Sequence, residues 1–176
     1  MKQTKRLALG LALILTSCSA TKKTSGIPSQ NNSRALTSLV LTSAPKNALD
    51  IADLRTSGTP GDTVTFTGQI LGKNPAFTRG RAVMIMGDPK KLTSCNLHHG
   101  DGCRTPWDVC CDDQDVIKAS ILTVQVVDSA GKPIKTSLKG LAGMKELSEV
   151  TVAGKIAESS TQSNILINAT GIFVQP

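Results

Sequence analysis

The stretch Thr63-Val-Thr-Phe-Thr-Gly-Gln-Ile70 constrains the fold most. Val64, Phe66 and Ile70 point one way, and Thr63, Thr65 and Thr67 point the other. A period of two with one apolar face predicts a half-buried β-strand. Gly68 falls inside the run, where a missing side chain signals a bulge or a sharp bend. The pattern repeats along the chain. Ala82–Met86 is a short apolar run, and Ile121–Asp128 alternates with Leu122, Val124 and Val126 on one face. Val150, Val152 and Ile156 form another strand with Gly154 inside it, and 164–174 supplies the last.

Turn clusters separate these runs, at Gly58-Thr-Pro-Gly-Asp62 and Ser129-Ala-Gly-Lys-Pro133. Ala48–Leu54 predicts a helical turn ahead of the first long strand. Leu138, Leu141, Met144 or Lys145, and Leu147 have approximate helical spacing, weakened by Gly140 and Gly143, and predict one short helix. The expected fold is therefore all-β with one short helix. A bent first strand and a helix between strands three and four resemble the OB-fold, a five-stranded Greek-key barrel. The phrase Glu149-Val-Thr-Val-Ala-Gly-Lys-Ile156 is similar to a fourth strand of that fold, and the resemblance covers about residues 60–175. A β-sandwich is the competing architecture.

The first six residues carry Lys2, Lys5 and Arg6, and an apolar run of Leu, Ala and Ile extends to Leu15. That run is shorter than the ~20 residues a membrane-spanning helix needs. Followed by Thr16, Ser17 and Cys18, it reads as a secretory signal over residues 1–17. Leu15-Thr-Ser-Cys18 resembles the bacterial lipobox, which implies cleavage before Cys18 and acylation of its thiol. More than one acyl chain makes such an anchor stable. Ser19 is similar to an outer-membrane sorting residue, so an envelope location, periplasmic or surface-facing, is expected. Ser19–Ser33 is polar and aperiodic and predicts a flexible tether, with 18–34 as lipidated segment and 35–176 as one domain. Without the leader, 20 basic residues become 17 against 13 acidic ones, and the net charge falls from +7 to +4. Much of the apparent basicity thus belongs to export.

The remaining four cysteines lie within 17 positions, in Cys95-Asn-Leu-His98-His99-Gly-Asp-Gly-Cys103-Arg-Thr-Pro-Trp107-Asp108-Val-Cys110-Cys111. Both histidines and the only tryptophan are here. Gly-Asp-Gly-Cys, Thr-Pro-Trp-Asp and Cys-Cys together resemble a cassette of secreted bacterial lipoproteins to which no activity is attached. The cassette is expected as an insertion over 89–118, between the second and third barrel strands.

Three states of the cassette compete. In an exported protein an even set of thiols predicts disulfides, here two, from Cys95, Cys103, Cys110 and Cys111. Adjacent Cys110 and Cys111 would be strained as a pair, so each is expected to join Cys95 or Cys103, in an order the sequence leaves open. The alternative is a zinc or copper site using Cys95, His98, Cys103 and Cys110, although the spacing is not that of a zinc ribbon. Redox chemistry is the third, but there is no Cys-x-x-Cys pair and no thioredoxin-like βαβ pattern.

No nucleophile elbow, zincin helix or phosphate loop is present, and a non-enzymatic role is expected. Three Phe, one Trp and no Tyr leave little to stack nucleic-acid bases, so a nucleic-acid partner is not expected. The expected function is a membrane-anchored binding or structural module of the envelope, with no cofactor and with a protein or glycan partner. OB-fold oligonucleotide or oligosaccharide binding is a further alternative. Trp107, His98, His99 and Asp108 are the candidate binding surface on the insertion.

Overall fold

The structure is a computed structural model that describes residues 30–98 and 103–176. Helix α1 spans Gln30–Thr37, strand β1 Leu49–Asp50, helix α2 Ile51–Ser57, strand β2 Thr63–Gln69 and strand β3 Val83–Gly87. Helix α3 (Gln114–Ser120), strand β4 (Ile121–Gln125), strand β5 (Glu149–Ile156) and strand β6 (Leu166–Val174) follow. Among the described residues no helix is long and apolar enough to cross a membrane.

The long strands close into a five-stranded mixed barrel, OB-fold-like, in the order β2-β3-β4-β6-β5 with β5 returning to β2. The β2–β5 seam is antiparallel and unbroken from Thr63↔Lys155 to Gln69↔Glu149. β4 and β6 pair in parallel, and the other barrel neighbours are antiparallel. The two-residue β1 runs parallel to β2 at Leu49↔Phe66.

The alternation read from the sequence becomes the inward face. Phe66, Met84, Met86, Val124, Val150, Val152, Ile156, Ile167 and Ile172 are buried in one core. The core holds two aromatic rings, Phe66 and Phe77, and is otherwise filled mainly by Ile, Val, Leu and Met.

Three expectations are corrected. Gly68 carries no bulge, since the β2–β5 register runs through it without a shift. A Cβ there would collide with the Ile51 side chain, so the glycine lets α2 lie directly on β2. The register shift sits instead at Ala153/Gly154 against β6. There is also no α-helix between β4 and β5. Leu141–Gly143 is one 3-10 turn, and Gly140, Ala142, Gly143 and Leu147 all have positive φ, which ends any longer helix. The apolar spacing still serves packing, because Leu138 and Met144 are buried in the barrel core. Finally, helix α1 runs across the expected boundary at residue 35. α1 covers the last residues of the expected tether, and its Leu36 is buried in the core. The helices are therefore three short ones rather than one.

Candidate functional site

Residues 88–120 leave the barrel after β3 and return as α3. They carry a small second apolar cluster, in which Leu92, Val109 and Ile117 pack with Leu71. This core is small for so long an excursion, and backbone bonds hold the rest. The Cys95 N–H donates to the Asp108 carbonyl at 2.8 Å and the Asn96 N–H to the Pro106 carbonyl at 3.0 Å. Gly72 of the β2–β3 loop donates to the Trp107 carbonyl at 3.0 Å. Asp112 Oδ2 accepts the Thr93 N–H at 2.8 Å. Asp113 Oδ1 caps α3, accepting from Asp115 N at 2.8 Å and Val116 N at 3.2 Å.

The pairing of 95–96 with 106–108 brings the sulfurs together. Cys95 Sγ lies 3.7 Å from Cys110 Sγ. The sulfurs of Cys95, Cys110 and Cys111 all lie within 4.8 Å of one another. Cys103 Sγ contacts Thr105, at 3.6 Å from the hydroxyl and 3.7 Å from the carbonyl. Cys95 is buried, Cys103 half-buried, and Cys110 and Cys111 are exposed.

The two inner thiols are driven apart in acidity. Burial first, then hydrogen bonding with Cys103 and Cys110, pushes the Cys95 thiol up to about 12. Hydrogen bonds with the Thr105 backbone and then its side chain hold the Cys103 thiol below its ordinary value.

No two cysteine sulfurs are joined among the described residues, and the 3.7 Å between Cys95 and Cys110 is well beyond the ~2.05 Å of a sulfur–sulfur bond. The metal set expected from sequence is also altered. Cys111 joins Cys95 and Cys110 in the cluster, whereas His98 and Cys103 do not, although spacing alone made adjacent cysteines look awkward as joint ligands. His98 is half-buried at the end of the Cys95–Leu97 turn. His99 and Cys18 lie outside the described residues. Asp108 turns back on its own loop, with Oδ1 accepting the Val109 N–H at 2.9 Å. Trp107 is half-buried against the barrel core rather than held out as an anchor, and its buried indole N–H has no hydrogen-bond partner.

A second feature was not foreseen from the sequence. Three adjoining cavities, of about 690, 380 and 230 Å3, share Arg55 of α2. Lys73, Ile85 and Thr123 line one part, from the β2–β3 loop, β3 and β4. Thr161, Gln162 and Ser163 of the β5–β6 loop line another, facing Lys118 of α3. Arg55 is half-buried and donates to the carbonyls of Ile121 (2.9 Å) and Gln162 (2.8 Å). Burial lowers its pKa, but a guanidinium stays charged. No carboxylate pairs with it among the described residues. No local motif marks Arg55 in the sequence, because the loops that meet around it come from distant parts of the chain.

No family model, curated protein or solved structure matches this chain. The functional reading therefore rests on the site itself.

Proposed function

We propose that this chain is a lipid-anchored module of the bacterial envelope that binds an anionic ligand in the groove around Arg55. One observation carries the reading: a half-buried guanidinium at the centre of an open groove has only neutral carbonyl partners. Two carbonyls position the group without neutralising it, which leaves it available to a carboxylate or phosphate. Lys73 adds positive charge at the rim, and Thr56, Thr161 and Ser163 supply hydroxyls. Asp115 is the acidic residue there, and Lys118 already pairs with it at 3.2 Å.

The location within the barrel supports the same reading. OB-type barrels bind through the face of their second and third strands and two flanking loops. Here those parts are β3, β4, the β2–β3 loop and the β5–β6 loop. No aromatic side chain lines the groove, which argues for a charged, hydroxylated polymer over stacked bases. Anchoring through Cys18 would hold the groove near envelope glycans and their acidic substituents. The cysteine insertion takes part through α3, which walls the groove.

The test is equilibrium binding of the full chain to isolated cell-wall polymer, before and after its carboxylates are amidated and its phosphates removed. Binding should weaken on neutralisation, and Arg55→Gln should weaken it by about 10–100-fold, the range of a lost charge-assisted hydrogen bond. Equal binding to charged and neutral polymer, or no effect of Arg55→Gln, would sink the reading.

A further inference from the structure

We propose that Cys95, Cys110 and Cys111 hold one zinc ion as a three-thiolate site. The inference stands apart from the groove reading and rests on different atoms.

Geometry carries it first. Zinc–sulfur bonds of about 2.3 Å in a tetrahedron set neighbouring sulfurs about 3.8 Å apart. Cys95 and Cys110 stand at 3.7 Å, the edge of such a tetrahedron. Cys111 closes a triangle with them within 4.8 Å. Cys103 stands outside that triangle, with its sulfur against Thr105.

The frame around the sulfurs is the second support. Cys95 is fixed by its backbone bond to Asp108, and Cys110 follows the buried Val109. Asp112 and Asp113, directly after the pair, are committed to Thr93 and to the start of α3. These carboxylates are thus engaged elsewhere, and the donors that converge are all sulfur. A set of soft thiolates in tetrahedral array selects zinc over the hard cations that favour oxygen. The third support is need: a small apolar cluster and a few backbone bonds hold residues 88–120, and an ion bound by Cys95 and by the Cys110–Cys111 pair ties distant parts of the segment together. Three thiolates leave the fourth position of the tetrahedron to water. On binding, each of the three thiols gives up one proton to solvent and the ion gains three sulfur bonds; no electron is transferred.

The experiment uses the full chain, purified anaerobically in reduced form, with cobalt(II) as the optical probe and zinc(II) as competitor. One cobalt per chain should bind, with thiolate charge-transfer and tetrahedral visible bands that one equivalent of zinc abolishes. Cys95 is buried and its replacement also disturbs packing, so the exposed Cys111→Ser is the second variant. It should keep the barrel's circular dichroism and weaken cobalt binding by more than the ~10–100-fold typical of losing an outer-shell partner. Failure of the reduced chain to take up a stoichiometric ion overturns the proposal. So does unchanged affinity in Cys111→Ser. A chain isolated from the envelope four hydrogens lighter and without zinc overturns it as well. None of these outcomes touches binding at Arg55, which is read with the anionic polymer.

Discussion

The carboxylate of Asp88 reaches from the end of β3 to the first turn of α2, where its Oδ2 accepts the Ala52 N–H at 3.0 Å. Asp88 is 1% exposed, and its Oδ1 also accepts the Lys90 N–H at 2.9 Å. Asp50, at the N-cap position itself, makes no side-chain cap bond. It pairs instead with Lys90 at 2.7 Å on the surface. The helix that carries Arg55 is therefore capped from 36 positions away.

Asp88→Ala should accordingly cost about 1–3 kcal/mol, because buried backbone donors lose their acceptor. Asp50→Ala should cost under about 1 kcal/mol, as an exposed ion pair does. Urea melts of the two variants give the comparison, and equal losses would show that Asp88 does not cap α2.

Gly154→Ala should destabilise more than Gly131→Ala. A Cβ at Gly154 would lie 2.6 Å from the Asn168 carbonyl, which is backbone and cannot swing away. Overpacking of this kind costs about 1–3 kcal/mol. Gly131 has φ +74° but open space around it, so the penalty there is backbone strain of about 1–2 kcal/mol. Thermal melts of the pair test the order.

Trp107 offers a built-in probe, since it is the single tryptophan in a chain with no tyrosine. Trp107→Phe should be better tolerated than Trp107→Ala. Phenylalanine keeps much of the packing and removes an indole N–H that is buried without an acceptor, a group costing about 1–3 kcal/mol. Alanine removes the ring itself, which costs about 3–5 kcal/mol at full burial and less at this half-buried position. Denaturant titration by circular dichroism measures both.

The Thr59–Asp62 turn gives a pH dependence. Hydrogen bonds from the Thr59 hydroxyl (2.7 Å) and then its backbone N–H (2.8 Å) hold the Asp62 carboxyl below the usual carboxylate range. A lowered folded-state value means that the stabilisation is present above the unfolded value, about 3.9, and is lost as pH falls through the folded one. The stability gap between the native chain and Asp62→Asn should therefore shrink on acidification below about pH 4. A gap that grows there would contradict the assignment.

The barrel was legible because its signal is local. Alternation at 63–70 and 121–126 depends only on adjacent residues facing opposite sides, and both runs became strands with the expected faces. The segment at 138–147 misled for a related reason. Its apolar spacing reported burial correctly at Leu138 and Met144, but a loop that seats two side chains in a barrel gives the same spacing as a helix. Gly68 was read as a bulge because sequence cannot show what approaches a glycine; here it is Ile51. At the cysteines, composition located the cassette, while the choice of Cys111 over His98 depended on a three-dimensional turn. Arg55 was invisible, because a groove assembled from residues 55, 73, 118 and 162 has no sequence signature.

The β2–β5 seam has a consequence for time rather than for shape. Thr63 finds its partner at Lys155, so a chain emerging from its N-terminus cannot shut the barrel until nearly all of it is out. Closing so long a loop carries an entropic cost and slows folding. All four thiols between residues 95 and 111 appear during that interval, before a finished barrel stands behind them. What first reaches the sulfurs, an ion or an oxidant, is thus decided by the surroundings of a half-made protein.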